Sequence, residues 1–148
     1  MSEDLFREII IEHSQRPRRH GRLEHPTHHG SGDNPLCGDK ISLDLSIDDQ
    51  GLIQDAAINV VGCAISTASA SLMAQQLVDL KVEQAIAMFD RVHEMLVQSE
   101  APGDLEELGE LAALQVVRRY PMRVKCATLC WHVLKHALSN MADAASTE

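Results

Sequence analysis

The residues best suited to chemistry in this chain are three cysteines and one aspartate. They are Cys37, Asp39, Cys63 and Cys126. Three thiolates and a carboxylate suit a tetrahedral zinc ion, and thiolates also bind iron and iron–sulfur clusters. Because 25 residues separate Cys37 from Cys63 and 62 separate Cys63 from Cys126, the spacing is not that of a zinc finger. The pattern alone is equally compatible with one shared metal or reactive-thiol site and with unconnected buried cysteines.

Each of these cysteines is expected at a junction between structural elements. Cys37 follows a loop rich in glycine and proline, Cys63 lies between a predicted strand and a predicted helix, and Cys126 lies in the predicted first turn of the last helix. In an extended segment Cys37 and Asp39 point to one side, and Gly38 lets the backbone approach a ligand. Near a helix N-terminus, unpaired amides and the macrodipole favour the thiolate of Cys63. Ligands that are distant in the sequence can converge on one metal in this way.

A fourth cysteine, Cys130, follows Cys126 by four residues and therefore falls on the same helix face. We interpret it as a buried small hydrophobic residue, with a backup ligand or a resolving thiol as the alternatives. His132 and His136 lie six and ten residues after Cys126 and are off its face. Neither is an obvious metal ligand.

Apolar periodicity predicts the elements that carry these residues. Alternation between residues 40 and 61, interrupted by a turn at 48–51, predicts an antiparallel hairpin with one buried face. Helical periodicity predicts the remaining elements, and proline is a suitable opening residue for the last of them. The predicted helical segments are 3–14, 64–80, 82–97, a segment that Asp104 caps, and one that begins at Pro121.

Residues 16–35 have no sustained period and are rich in Pro, Gly, His and Arg, which predicts an irregular surface segment. We interpret its histidines as solvated, with adventitious metal binding as the alternative. We interpret its basic cluster as a solvated loop, with a partner-docking patch as the alternative. The histidines are at positions 20, 25, 28 and 29, and the basic cluster is Arg16, Arg18, Arg19 and Arg22.

Length and composition predict one globular domain over residues 1–148, with a frayed acidic tail at 141–148. A domain of this size folds without a metal, so a bound metal would suggest function. No apolar run approaches the roughly 18 residues of a membrane span, and charged residues interrupt the N-terminal apolar positions. We therefore expect a cytoplasmic protein, where cysteines are more often ligands, catalytic thiols or buried residues than disulfides. The formal net charge of -9 argues against nucleic-acid and anionic-membrane partners.

The stretches that contain the three cysteines, residues 34–39, 62–71 and 120–129, resemble the three cysteine motifs of the U-type iron–sulfur assembly proteins. That family comprises IscU, the NifU N-terminal domain and SufU. The opening residues 5–23 are also similar to the family's start. The resemblance implies an α+β domain of the SufE/NifU-like fold, with a three-stranded antiparallel sheet and helices packed around it. It also implies a metal site at one end, formed by the three cysteines and Asp39.

Within the family, IscU-like scaffolds carry a histidine just before the third cysteine, where this chain has Lys125. A protonated lysine has no lone pair and cannot replace imidazole as a ligand. The long interval between the second and third cysteines is similar to that of the SufU branch. The resemblance therefore implies a zinc-dependent sulfurtransferase, with Asp39 completing the Zn²⁺ site. Such a protein accepts persulfide sulfur from a PLP-dependent cysteine desulfurase of the SufS kind and passes it to downstream iron–sulfur assembly components.

Two residue roles follow from that resemblance. We assign the sulfur-acceptor role to Cys37, because it lies in the flank with the most glycine and can move with least disturbance. Arg123, one turn before Cys126, is a candidate to offset the negative charge of the zinc site. A solvated arginine is the equal alternative.

Two other functions remain open from the sequence. The first is an IscU-like scaffold on which a labile iron–sulfur cluster is assembled and transferred, with iron or a transient cluster as the cofactor. Lys125 argues against it. The second is a structural zinc domain without thiol chemistry, which would require Cys37 to be inert.

Overall fold

The structure is a computed structural model that describes residues 3–35, 37–97, 106–139 and 145–146. It has the α+β architecture that the resemblance implied, with helices packed on a small sheet. In chain order the elements are α1 (Glu3–Gln15), β1 (His28–Asn34), β2 (Asp39–Ile47), β3 (Ile53–Val61), α2 (Ala64–Leu77), α3 (Val82–Val97), a 3₁₀ helix (Glu106–Val117), α4 (Pro121–Leu138) and β4 (Ala145–Ser146).

The predicted hairpin is confirmed as β2 and β3. The two strands pair antiparallel from Lys40 opposite Val61 to Ile47 opposite Ile53. The turn between them is held by the Asp48 side chain, whose Oδ1 accepts the backbone N–H groups of residues 50 and 52, each at 2.9 Å. The hairpin brings the first residue of β2 beside the end of β3, where Gly62 and Cys63 follow. Asp39 and Cys63, 24 residues apart in sequence, thereby become neighbours.

The third antiparallel strand lies inside the segment that the sequence analysis expected to be irregular. β1 pairs with β2 along its whole length, from His28 opposite Leu45 to Asn34 opposite Asp39. The prediction was wrong here because two of the buried positions of β1 are glycines, Gly30 and Gly32, so no apolar alternation marks the strand. A Cβ at Gly30 would lie 2.7 Å from the carbonyl oxygen of Val133, so the missing side chain allows α4 to pack directly on β1.

The core lies between one face of the sheet and the helices. β2 contributes Ile41, Leu43 and Leu45, all 2% exposed or less, and α4 contributes the buried Trp131. The predicted small residues of α2 allow α4 to approach closely, since Ser69 Oγ donates to the carbonyl of residue 127 at 2.6 Å. Ser66 Oγ likewise donates to the carbonyl of Cys126 at 3.3 Å. These contacts fix the start of α4 against the start of α2, and so fix two of the predicted ligands relative to each other.

Residues 16–27 are irregular as predicted, but they are anchored to the sheet by one buried carboxylate. Asp44, 2% exposed, accepts hydrogen bonds from His29 Nδ1 at 2.7 Å, Arg22 Nε at 3.1 Å and the Leu23 N–H at 3.1 Å. Burial favours the neutral acid, but these hydrogen bonds outweigh it and hold the pKa of Asp44 below its ordinary value. His29 lies on β1 rather than in a loop, and both His29 and Arg22 pair with Asp44, although their side chains remain 46% and 63% exposed.

Two further predictions concern the C-terminal half of the chain. The segment after residue 104 is a 3₁₀ helix with a kink at Gly109 (φ 57°) rather than a regular α-helix. The predicted cap, Asp104, lies outside the described residues. Residues 145–146 pair in parallel with Gly32 and Asp33, and the rest of the tail that we expected to fray lies outside the described residues. Across the described ranges, no helix is both long and apolar enough to span a bilayer.

The role of Asp44 as an anchor can be tested with Asp44→Asn. We expect the free energy of unfolding at pH 7 to fall by about 1–3 kcal/mol, because hydrogen bonds to a buried carboxylate are weakened. Since the folded-state pKa is lowered, this contribution is present above the unfolded-state pKa and is lost as pH falls through the folded-state value. The free energies of unfolding of the two proteins, measured with urea, should therefore converge as the pH falls below the ordinary pKa of an aspartate. The exposed Asp49→Asn is the control, and an equal loss in both variants would contradict the assignment.

Candidate metal centre

Asp39, the first residue of β2, is the centre of the site. Its side chain is fully buried, and its Oδ1 accepts the backbone N–H of Cys63 at 2.9 Å. A Cβ on residue 62 would lie 2.3 Å from the same oxygen, so only glycine at position 62 leaves room for the carboxylate. The sequence marked Gly62 only as the end of a strand. Its structural role is to let Asp39 reach the N-terminus of α2.

The second carboxylate oxygen, Asp39 Oδ2, is buried and has no hydrogen-bond partner among the described residues. A buried carboxylate oxygen without a donor is costly, and either a proton or a cation must compensate it. The sulfur atoms of two cysteines, Cys37 and Cys126, lie within 4.8 Å of a carboxylate oxygen of Asp39. The side chain is therefore suited to complete a metal site, as the sequence analysis predicted for it.

Cys37 lies on the turn that joins β1 to β2. The N–H groups of Cys37 and Gly38 both donate to the carbonyl of Asn34, at 3.1 and 2.8 Å, and Gly38 has a φ of 72°. The segment is thus a tight turn rather than the extended stretch that we expected, and the positive φ explains the glycine. The Cys37 side chain is half-buried. The turn places its thiol toward Asp39 while leaving it reachable from solvent.

Cys126 is the most deeply buried member of the site. It lies in the second turn of α4, which begins at Pro121, rather than in the first turn as predicted. Its side chain has no solvent exposure, and its thiol lies 3.4 Å from Cys37 Sγ and accepts from Asn34 Nδ2 at 3.9 Å. Burial raises the pKa of the Cys126 thiol, and the neighbouring Cys37 thiol and Asp39 carboxylate act in the same direction. A bound cation would reverse that preference for the protonated thiol.

Three donors form a compact group. Within the part of the chain that the structure describes, donor atoms of Cys37, Asp39 and Cys126 lie within 4.8 Å of one another. Cys63 borders this group without belonging to it. Its Sγ caps α2 by accepting the Ser66 N–H at 3.5 Å, as expected from its position before the helix.

Arg123 is a cation that interacts electrostatically with the thiols of Cys63 and Cys126. The negative charges of the Cys63 and Cys126 thiolates hold the pKa of Arg123 above its ordinary value. Its side chain is exposed. The charge-support role of Arg123 therefore stays a prediction.

Cys130 is a buried small residue, as interpreted from the sequence. It has no exposure, its Sγ lies 3.4 Å from Ser69 Oγ, and burial raises the pKa of its thiol to about 12. It is not a member of the compact donor group.

Asn34, by contrast, contacts the site, and no role was predicted for it from the sequence. Its place beside Cys37 in the first motif was the available signal.

The donor set fits a metal ion. A buried carboxylate oxygen without a partner and two adjacent thiols, with a third thiol at their border, are ligands that zinc accepts. Thiolates also accept iron, so the donor types alone do not select one metal. The choice between zinc and iron depends on the residues nearby. Among these, Lys125 is the residue that distinguishes the two.

The chain is similar to known proteins along nearly its whole length. The family profile described as NifU-like N terminal domain matches residues 5–141. The chain is 39% identical to the iron–sulfur cluster assembly scaffold protein IscU of Streptococcus pyogenes serotype M1, over 95% of this chain and 86% of that protein. It is 35% identical to the zinc-dependent sulfurtransferase SufU of Bacillus subtilis, over 93% of this chain and 91% of that protein.

Solved structures agree. FiSufU of Fervidobacterium islandicum AW-1 has a TM-score of 0.82 and 33% identity, over 93% of this chain and 99% of that one. The names of the relatives thus divide between a scaffold and a sulfurtransferase.

Gly62→Ala tests whether the position of Asp39 determines metal binding. The added Cβ would displace the carboxylate, and we expect zinc affinity to fall roughly 10–100-fold, as for other changes that misplace a ligand. Competition with a chromophoric chelator measures the affinity. The adjacent Val61→Ala, at a side chain 67% exposed, is the control. Unchanged affinity in Gly62→Ala with an intact circular dichroism spectrum would show that Asp39 does not hold the metal.

Proposed function

This chain belongs to the family of NifU-like N-terminal domains, and on that basis we propose that it acts in iron–sulfur cluster assembly as a zinc-dependent sulfurtransferase. In this role Cys37 accepts persulfide sulfur from a PLP-dependent cysteine desulfurase of the SufS kind. The sulfur then passes to downstream assembly components. One relative, SufU of Bacillus subtilis, carries the name zinc-dependent sulfurtransferase, which supports this proposal.

The observation that carries the proposal is the unequal freedom of the three thiols. Cys126 is fully buried in α4, so moving it would unpack the core. Cys63 is the N-cap of α2, so moving it would leave the Ser66 N–H without its acceptor. Cys37 is half-buried on a turn, where among the described residues two hydrogen bonds to Asn34 hold the backbone. Cys37 is therefore the thiol that can reach a partner at least structural cost.

The residues that would hold zinc are Cys37, Asp39, Cys63 and Cys126. The buried Asp39 Oδ2 without a donor and the close Cys37 and Cys126 thiols support this assignment. Bound zinc would keep the thiols deprotonated and protected from oxidation. Asp39 on β2, Cys63 at the start of α2 and Cys126 in α4 are the fixed members of the set. Cys37, on its turn, is the mobile one.

The transfer step is a thiol exchange. The Cys37 thiolate attacks the outer sulfur of the donor persulfide, one S–S bond forms as the donor S–S bond breaks, and the donor cysteine leaves as a thiolate. The number of S–S bonds is unchanged, so no oxidant or reductant is needed. The Arg123 guanidinium, beside Cys63 and Cys126, supplies positive charge next to the sulfur that arrives.

Lys125 separates this function from the scaffold function. It stands immediately before Cys126, where a histidine ligand would be needed to hold a cluster in the manner of IscU-like scaffolds, and a protonated amine cannot coordinate. Iron bound to the purified protein would instead support the scaffold function. Zinc binding without sulfur acceptance by Cys37 would support a structural zinc domain.

Protein purified without added iron should be colourless and contain about one zinc per chain, because the four donors complete a tetrahedral site. Inductively coupled plasma mass spectrometry measures the metal, and the visible spectrum reports any thiolate–iron absorption. Stoichiometric iron with visible absorption in the protein as isolated would contradict the sulfurtransferase proposal and favour the scaffold.

Cys37→Ala separates sulfur acceptance from metal binding. We expect the variant to retain part of its zinc through the remaining three donors, yet to lose stimulation of the desulfurase even at saturating zinc, because the other thiols cannot travel. Cys130→Ala is the matched control, since Cys130 is buried and is not a member of the donor group. Mass spectrometry of wild-type protein after incubation with the desulfurase and cysteine locates the added sulfur. Sulfur on Cys63 or Cys126, with Cys37 unmodified, would overturn the assignment.

A further inference from the structure

An open groove lies beside the metal centre and is unusually basic for this chain. It encloses about 630 Å³ and is formed by α1, the end of the 3₁₀ helix and the start of α4. Four arginines line it, against one glutamate, in a protein of net charge -9. The arginines are Arg7, Arg118, Arg119 and Arg123. Positive charge concentrated in one groove of an acidic protein creates a local field for anionic groups.

The floor of the groove is apolar and its rim is aromatic. Phe6, Ile65 and Val116 are half-buried hydrophobic residues of the lining, and Tyr120 at the rim is 59% exposed. Next in sequence, Met122 is 48% exposed. Arginine, tyrosine and methionine are the residue types that protein–protein interfaces favour. The groove thus offers both charge and apolar contact, which a protein segment can use together.

We propose that this groove docks an acidic segment, carrying at least one apolar side chain, of the persulfide-donating desulfurase. The proposal rests on the proposed function, because it takes the sulfur donor as the partner. Ile65 and Arg123 both line the groove, two residues after Cys63 and three before Cys126, so the docking surface is continuous with the thiol site. A segment bound here holds the donor next to the Cys37 turn.

Other anionic partners fit the groove less well. A small anion would meet exposed guanidinium groups, such as those of Arg7 and Arg119, whose charge is screened by salt within about 8 Å at physiological ionic strength. A nucleic acid would extend beyond the groove over a surface of net negative charge. A short acidic segment experiences the groove alone and gains the apolar floor as well.

Arg119→Glu is the primary test, because Arg119 is exposed, lines the groove and is not placed in the metal site. We expect the Kd for the desulfurase, measured by biolayer interferometry on the zinc-loaded protein, to rise roughly tenfold or more. The wild-type Kd should also rise between 50 and about 300 mM chloride, and this salt dependence should be weaker in the variant. Arg7→Glu combined with Arg119→Glu should weaken binding further.

Lys81→Glu is the matched control. It makes the same charge reversal at an exposed residue whose backbone bridges to Leu52, at the hairpin-turn end of the sheet opposite Asp39 and Cys63. Its Kd should equal that of the wild type. Equal weakening by Lys81→Glu would show a general charge effect, and no weakening by Arg119→Glu would show that the groove does not dock the desulfurase. Either result overturns the proposal.

Two measurements distinguish this inference from the function on which it rests. Zinc content and persulfidation of Cys37 by a low-molecular-weight persulfide should be unchanged in Arg119→Glu, so loss of desulfurase binding alone identifies docking. A wild type that binds the desulfurase but never acquires sulfur on Cys37 would contradict the proposed function while leaving the docking result intact. Stronger displacement of the desulfurase by inorganic phosphate than by chloride at equal ionic strength, or self-association abolished by Arg119→Glu, would assign the groove to a small anion or to a second copy and overturn the proposal.

Discussion

The hydrogen bond from the Cys63 N–H to Asp39 Oδ1, 2.9 Å long, is the contact on which the site depends. It joins the beginning of β2 to the N-terminus of α2, and the glycine between β3 and Cys63 is what makes the approach possible. With one oxygen committed to this bond, the other is buried without a hydrogen-bond partner among the described residues, in a side chain close to the thiols of Cys37 and Cys126. The carboxylate therefore serves as structural tie and candidate ligand at once, one oxygen for each.

Much of this arrangement could be predicted from the sequence, because hairpins and helices can be recognised by the periodicity of their apolar residues. The period of two placed β2 and β3, and the period of 3.6 placed the helices that carry Cys63 and Cys126. The three cysteine motifs then indicated which ends of these elements would meet. Apolar pattern identifies elements that bury side chains, and the motifs identified the residues that such elements bring together.

The rest could not be predicted, for reasons that the structure makes plain. β1 packs through the backbone at Gly30, and a strand without inward side chains leaves no hydrophobic signal. The Cys37 turn depends on two hydrogen bonds to the carbonyl of Asn34, and backbone acceptors are invisible in a sequence. The anchoring of residues 16–27 depends on a single buried carboxylate, Asp44, in a strand that otherwise alternates regularly. Each miss concerns the main chain or a lone polar group.

The capping of α2 by a cysteine sulfur has a consequence for how the protein would take up and release a metal ion. Cys63 Sγ already has a partner in the Ser66 N–H, and Ser66 Oγ in turn holds α4 through the carbonyl of Cys126. The helices are therefore held to each other by contacts that need no ion. If the chain binds zinc as proposed, the ion would enter and leave a fold that is already formed, so metal exchange would be uncoupled from cooperative unfolding, unlike in small domains that fold only around their zinc.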